Sequence, residues 1–400
     1  MNCPIVATDN GAPRSYPPLA EVRERLKVGW YRCPIEPALL RQLMQRSDLQ
    51  GWLQAGGHLL VVAALGALTF WLWSTGRWAL FGVALFAHGT AATFMVGVAP
   101  HELGHGTVFR TRWLNTVFLY IYSLLSWWDP FDYGTSHTYH HRYTQYAEGD
   151  RENLLPLHPS IGPTFLPQLF TVNLLTRPGR VFGKGGLIST IVLTVMTVLG
   201  IVGSPDVPAR EWIRALHADQ PVEARKSRWF AAVQLLFHGG VAVAGIATGL
   251  WVLPILVSVA PFIGGWLAYF VGMTQHCGLR GEVADFRKST RSIRIDPITS
   301  FLYWRMGWHI EHHMYAGVPC YNLKKLARAI ADDVPPPRTL LGAWREMRTI
   351  WHHQRSEPDY QYDTPLPAPR QGVEGSVSEE AAALESSIGE LAPASLRSGA

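Results

Sequence analysis

The sequence predicts an all-α integral membrane protein: about four transmembrane helices in two hairpins, with a cytoplasmic helical cap carrying a histidine-rich di-metal site. Three observations lead there. Of the 400 residues, 48% are hydrophobic and only 16% charged, against roughly 25% charged in an average soluble domain. The 16 Trp, 14 Tyr and 16 Phe form an aromatic excess of the kind found at membrane–water interfaces. Finally, eight histidines fall in three tight clusters, His101/His105, His137/His140/His141 and His309/His312/His313.

A bilayer-spanning helix needs about 20 predominantly apolar residues. Gly57–Ser74, Trp78–Val98, Trp229–Gly249 and Trp251–Met273 qualify. They pair into hairpins across Thr75-Gly76-Arg77 and Leu250, and the third carries Gly245-xxx-Gly249, a spacing that allows close helix approach. Leu114–Trp128 and Gly186–Val202 are ambiguous. If the three clusters build one site they share one membrane face, so Leu114–Trp128, which separates the first two, does not cross. Gly186–Val202 crossing alone would export Arg210, Arg214, Arg225, Lys226 and Arg228, against the positive-inside rule. It is expected to be shallow, or paired with the weak stretch Pro163–Leu175. Both termini and all clusters then face the cytoplasm.

The expected organisation is a cytoplasmic N-terminal segment 1–56, a transmembrane domain 57–331 holding the clusters, a C-terminal amphipathic segment 332–356 and a disordered tail 357–400. Segment 1–56 has seven Arg/Lys residues from Arg14 to Arg46 and no long apolar core, so it does not read as a signal peptide. Asn322 is a candidate cap for a helix Leu323–Ala331, and Thr339–His353 is a second amphipathic helix. The tail is rich in Pro, Ser, Gly, Ala and Glu, a composition that buries little. Cys3, Cys33, Cys277 and Cys320 have neither CxxC nor regular spacing, so neither a disulfide framework nor a zinc knuckle is expected. The net charge of +5 accompanies no nucleic-acid-binding motif.

The clusters read HxxxH, HxxHH and HxxHH. Helical residues at i, i+3 and i+4 share a face, so each cluster aims its imidazoles one way. A core gains nothing from that, because a buried imidazole must find hydrogen-bond partners. A metal does gain, since neutral imidazole is its commonest ligand. Eight rings exceed the six positions of one octahedral ion, and the spacing therefore points to two metals. The first cluster also matches HExxH, in which two histidines hold zinc and Glu102 would be the general base of an intramembrane protease; that reading leaves six clustered histidines idle. Structural zinc in a non-enzymatic scaffold is a further alternative.

In this order and spacing, the clusters resemble the histidine boxes of the membrane-bound fatty-acid desaturase/hydroxylase superfamily. The likeness extends over roughly Gly57–Leu326 and includes HELGHGTVF (101–109), HTYHHRYT (137–144) and FLYWRMGWHIEHHMY (301–315). The last block is most similar to a bacterial branch with rhizopine-oxygenase-like and rhizobitoxine-desaturase-like proteins, and to sphingolipid desaturases. The resemblance implies two iron ions, dioxygen as co-substrate, a lipid acyl chain as substrate and either desaturation or hydroxylation as outcome. It implies one further ligand between the last span and the third box, a position that His276 occupies. The expected ligands are thus His101, His105, His137, His140, His141, His276, His309, His312 and His313. The chain has no haem-binding HPGG sequence, no iron–sulfur cysteine pattern and no GxGxxG, so a separate ferredoxin or cytochrome b5-like donor is implied.

Glu102, Glu148, Asp150, Glu152 and Glu311 are candidate partners for the second nitrogen of ligand histidines. Tyr139, Trp304 and Trp308 are expected to pack the site, and Trp127-Trp128 to anchor the membrane interface. His88 and His238, inside apolar spans, are expected to be satisfied between helices. His58, His158, His217, His352 and His353 have no metal-type spacing and are expected to be solvated.

Overall fold

The computed structural model describes residues 16–153, 161–177, 183 and 185–367. His158 and most of the expected tail lie outside them. The described chain is helical apart from one parallel pairing of Ile293–Arg294 with Arg338–Thr339. Three helices are long and apolar enough to cross a membrane: Asp48–Ser74, Trp78–Gly104 and Pro221–Thr248. Their outward faces carry exposed Leu60, Leu68, Val83, Leu236, Val243 and Ile246. This is the surface of a membrane protein, whose solvent on that side is lipid.

The first helix starts nine residues before the apolar run does. Ser47 caps it, its hydroxyl accepting from Gln50 N–H, and Asp48 holds Thr111 through both its backbone N–H and its hydroxyl. The turn at Thr75-Gly76-Arg77 then returns the chain, as expected. In the second hairpin the two glycines of the small-residue motif divide the work. A Cβ on Gly245 would stand 2.7 Å from Pro254 Cδ, so this glycine permits close packing. Gly249 ends the helix in the left-handed conformation at φ 71°.

The fourth expected span, Trp251–Met273, is not one helix. Val252–Pro254 runs through a wide turn at Ile255–Val259 into a tight turn at Ala260–Phe262; Ile263 is extended, Gly264 has φ 61°, and helix resumes at Trp266–Gly272. Pro254 and Pro261 each remove a helix donor. The freed backbone is paired elsewhere: Asn173 N–H donates to Phe262 C=O at 2.8 Å and Gly264 N–H to Thr171 C=O at 2.9 Å. Broken backbone at membrane depth is tolerated when protein satisfies it in this way.

The ambiguous runs are both short. Arg112–Leu125 has 14 residues and Leu187–Val198 has 12, about 21 and 18 Å at 1.5 Å per residue, less than a hydrocarbon core of about 30 Å. Within Pro163–Leu175 only Leu166–Leu169 is helical, so no second span pairs with Leu187–Val198.

The largest of the buried clusters holds much of the cap together. Cys33, Ile35, Leu40 and Leu43 of the N-terminal segment join Ile310, Met314, Tyr315 and Leu323 around the third histidine cluster. Tyr315 Oη donates to Cys33 C=O at 2.6 Å. Asn322 does not cap its helix; its amide reaches Leu43 C=O at 2.8 Å. Thr339 does cap the helix Leu340–His353, accepting from Gly342 N–H.

Gly89 of the second helix is where the broken segment comes closest, since a Cβ there would lie 2.6 Å from the carbonyl oxygen of Ile263. Backbone cannot yield as a side chain can, so Gly89→Ala is expected to cost about 1–3 kcal/mol by overpacking. Gly82→Ala, which meets nothing within 4 Å, is expected to be neutral or slightly stabilising. Thermal unfolding of the two variants in detergent checks the contrast.

Candidate metal centre

Each histidine cluster is placed by a short helix, the first of them at the end of the span Trp78–Gly104. His101 and His105 sit on and just after Val98–Gly104. The second cluster lies on Pro130–Tyr143, where Asp129 caps the start by accepting from the N–H groups of Phe131 and Asp132 and proline occupies the first turn. The third opens the helix His309–Met314. Before it, Trp304 and Arg305 adopt φ 48° and 58°, a strained turn for non-glycine residues. Trp304 is held there because its indole N–H donates to His58 Nδ1 at 3.1 Å. His276 follows the last helical piece, and buried Arg291 braces its loop by donating to Thr274 C=O at 2.5 Å and by pairing with Glu346 at 2.8 Å.

All nine expected histidines converge. One group holds His101, His105, His137, His141 and His312; the other holds His140, His276 and His313. His309 adjoins the second, its Nε2 standing 3.1 Å from His276 Nε2 and 3.2 Å from His313 Nε2. In the first group His101 and His312 approach to 2.6 Å, His105 and His137 to 3.2 Å, and His141 and His312 to 3.2 Å, again through Nε2. The two HxxHH boxes divide in mirrored fashion. His137 and His141, an i,i+4 pair, enter the first group while His140 crosses to the second. His309 and His313 enter the second while His312 crosses to the first.

Five of the other ring nitrogens meet hydrogen-bonding groups on the outer side. His140 Nδ1–H donates to Asp150 at 2.9 Å, and His276 Nδ1–H to Ser289 C=O at 3.0 Å. Tyr133 Oη lies 3.0 Å from His101 Nδ1 and Thr144 Oγ1 3.2 Å from His313 Nδ1, while Gln275 Nε2, a donor, stands 3.3 Å from His309 Nδ1. Glu102 stands 3.2 Å from His312 Nδ1 and Glu152 3.6 Å from His137 Nδ1. A neutral imidazole that donates through Nδ1 has only a lone pair at Nε2. Lone pairs facing one another at about 3 Å repel, and a cation between them reverses the sign. The donor set therefore fits metal ions, and imidazole suits iron, zinc and copper alike. The two groups are consistent with a di-metal site.

Protonation agrees with this. Burial, followed by repulsion from neighbouring rings, pushes His105 down to about 4 and His276 down to about 3. The same causes hold His137, His141, His309, His312 and His313 well below the usual range. His140 is the exception: burial lowers it, but Asp150 and Glu152 carry it up to about 9. Burial raises Glu152 and Glu311 to about 7.

Other expectations fare unevenly. Asp150, Glu152 and Glu102 lie behind histidines of the two groups, whereas Glu148 pairs with Arg25 at the surface and Glu311 accepts from Ser292 Oγ. Tyr139 does not pack the site; its hydroxyl contacts Arg23 and Asp219, and its ring joins Trp212 on the far side of the helix. Trp127 is buried inside the protein, stacked at 3.8 Å on His238 with its N–H on Ser258 C=O. His88 and His238 lie between helices as expected, His88 with its one N–H within reach of the carbonyls of Val62 or Leu256 and His238 bonded to Ser258 and Leu124. His352 and His353 are exposed. His58 is fully buried, bonded to Ala91 C=O as well as Trp304, and His217 pairs with Asp132 at 2.7 Å; neither is solvated. The sequence reading missed Tyr133, Thr144, Gln275 and Ser289. Only Tyr133, four residues before His137 on the same helix, had a positional signal.

Replacing a carboxylate behind a ligand ring costs metal affinity by roughly 10–100-fold. Asp150→Asn is expected to lower metal content to that extent, measured by elemental analysis after dialysis against a chelator, while Glu148→Gln leaves it unchanged.

Known proteins agree with the geometry. A family model described as fatty acid desaturase matches residues 75–341. An sn-1 oleoyl-lipid 12-desaturase of Anabaena variabilis is 27% identical over 125 residues, which cover 31% of this chain and 33% of that protein. Another, from Picosynechococcus sp. (strain ATCC 27264 / PCC 7002 / PR-6), is 22% identical over 317 residues, 74% of this chain and 80% of that protein. With the family match spanning more than half of its length and the histidine boxes brought together in space, the chain belongs to the fatty acid desaturase family.

Proposed function

We propose that this protein is an oxygen-dependent di-iron membrane oxidoreductase that introduces a double bond into the acyl chain of a lipid. The observation that carries the reading is the inward convergence of nine imidazoles, with His140 and His276 anchored outward through Nδ1. In this reading His101, His105, His137, His141 and His312 hold one iron and His140, His276, His309 and His313 the other. Two bound irons supply the dioxygen-derived oxidant that an unactivated methylene demands, since no side chain is strong enough.

The protein's own residues orient and shelter. Asp150 and the Ser289 carbonyl fix the tautomers of His140 and His276, and Arg291 keeps the His276 loop in place. A cavity of about 720 Å³ reaches His101, His105, His137 and His141 of the first group and His313 of the second, so a chain entering it meets both groups. Small displacements of a bound chain decide whether a second hydrogen is lost or a hydroxyl is returned; a hydroxylase of a lipid or small natural product is thus the nearest alternative. Removing two hydrogens while dioxygen becomes two waters takes two further electrons and two protons. The electrons fall to a separate ferredoxin or cytochrome b5-like donor. The block around the third box supports a place near the rhizopine-oxygenase-like and sphingolipid desaturase branch, and the basic segments support a cytoplasmic site with both termini on that side.

An intramembrane zinc protease uses only His101, Glu102 and His105. The site instead gathers seven more rings, and Glu102 backs His312. Expression in a host of simple lipid content, followed by mass spectrometry of acyl chains, is expected to show new double bonds; hydroxylated chains would favour the alternative. His137→Ala, His276→Ala and His309→Ala are each expected to abolish product, by more than roughly 100-fold. A protease built on His101, Glu102 and His105 would tolerate His137→Ala and His309→Ala.

A further inference from the structure

Glycine inside a helix is destabilising relative to alanine, and it is kept there for a left-handed backbone or for a close approach. Gly134 has neither reason. It lies in the regular helix Pro130–Tyr143, three residues before His137, and its φ is not positive. A Cβ on it would meet nothing within 4 Å. Where close approach is the reason, the contact is plain: a Cβ on Gly149 would stand 2.5 Å from Tyr143 Cγ, and one on Gly51 2.5 Å from Phe109 Cδ1. What adjoins Gly134 instead is the cavity over the histidines, whose wall it helps to form. The absent side chain is room inside that cavity.

The cavity has two unlike ends. At one, Lys27 and Arg142 are exposed; at the other, Pro100, Pro130 and Tyr133 are buried and Leu119 is half-buried. The helix Pro130–Tyr143 runs from the closed end to the open one. Pro130 and Gly134 come before His137 and His141, and Arg142 follows them. At 1.5 Å per residue Gly134 stands about 4–5 Å along the axis from His137. Thr138, one turn on, spends its hydroxyl on Gly134 C=O at 2.8 Å, and the Tyr133 hydroxyl is taken by His101 Nδ1 at 3.0 Å. With those polar atoms satisfied, proline, leucine and bare backbone leave an apolar dead end one helical turn beyond the rings.

Resting on the desaturase reading, we propose that Gly134 is a specificity-determining residue, bounding the space that takes the terminal carbons of the acyl chain past the histidines. The polar head stays at the water-facing end, so the chain enters tail first. The room beside Gly134 then fixes how many carbons fit between the reacting position and the methyl end. A side chain there pushes the chain back toward the mouth and presents a carbon nearer its methyl end to the site. Gly104 also lines the cavity with nothing within 4 Å of its Cβ position, but it adjoins His105, so only Gly134 separates chain fit from ligand placement.

The test titrates the full-length protein in neutral detergent with 1-oleoylglycerol and 1-decanoylglycerol. Gly134→Leu is expected to weaken the longer chain roughly tenfold, the effect of about two displaced methylenes, and to change the shorter by less than about twofold. Its iron content and melting temperature are expected to hold. Gly134→Ala carries the same test in a smaller step, with a melting temperature equal to or above that of the unmodified protein, since alanine is the better helix former. Gly239→Leu, at an exposed helical glycine with nothing within 4 Å, is expected to leave both affinities unchanged. In the expression host, Gly134→Leu is expected to move new double bonds toward the methyl end or onto shorter chains. Unchanged affinities, equal weakening of both chains, or iron lost together with stability in both Gly134 variants overturn the proposal. Length-selective weakening with no double bonds made by the unmodified protein supports this proposal and sinks the desaturase reading alone. Double bonds made by the unmodified protein and left at the same position by Gly134→Leu sink this proposal alone.

Discussion

Nine imidazoles turn their Nε2 lone pairs toward a common interior, and each approach of about 3 Å between such atoms is repulsive until a cation intervenes. Everything around the site serves to hold the rings in that unfavourable arrangement. The Asp150 carboxylate and the Ser289 carbonyl take the Nδ1 protons of His140 and His276. The strained turn at Trp304 and Arg305 is pinned by His58, and the His276 loop by Arg291 and Glu346. A site of this kind needs rigid surroundings, because a ring free to rotate would simply turn its lone pair away.

The mirrored division of the HxxHH boxes follows from helix geometry. Residues at i and i+4 stand one above the other, while the residue between them at i+3 is displaced by about 60° around the axis from i and by about 100° from i+4. Two helices lying on opposite sides of a metal pair can therefore each give an i,i+4 couple to the nearer position and send the intervening ring to the farther one. His140 and His312 are those crossing rings. They stitch the groups together, which explains why the motif carries adjacent histidines and not a simple i,i+4 repeat. The HxxxH of the first box has no third ring and serves a single group. The gap this leaves in the second group is where His276 stands, on a loop and not on a box helix.

Much of this was legible because periodicity reports directly on which side chains share a face. The first hairpin, the short helices at 112–125 and 187–198, and eight of the rings follow from apolar run length and histidine spacing alone, while the ninth came from family resemblance. The fourth span misled, since hydropathy measures transfer to lipid and is blind to hydrogen-bond continuity. Pro254, Pro261 and Gly264 carried the warning, but the pairing with Thr171 and Asn173 that makes the break affordable is a long-range contact. His58, His217 and Tyr139 failed for the same reason. Whether a lone polar side chain is solvated or satisfied depends on partners such as Trp304, Asp132 and Asp219, which are distant in sequence. Asn322 has the residue type of a helix cap, yet its amide is drawn away by Leu43.

The division of labour between membrane and cap also sets what the family-matched stretch can do alone. Its apolar helices are exposed over broad faces and derive their support from lipid. The cap, in contrast, is closed from outside that stretch. Cys33 receives Tyr315, Leu43 receives Asn322, and Tyr31 and Arg287 meet at Asp333, with the guanidinium 3.8 Å above the tyrosine ring. On the other flank Glu346 anchors both Arg291 and Arg338. Without residues 31–43 the helix His309–Met314 loses one wall, and without Glu346 the buried Arg291 charge loses its counter-ion, a loss that costs several kcal/mol on the order of other broken buried pairs. The histidine boxes thus define the chemistry, but the flanking segments supply the rigidity that keeps their lone pairs pointed inward.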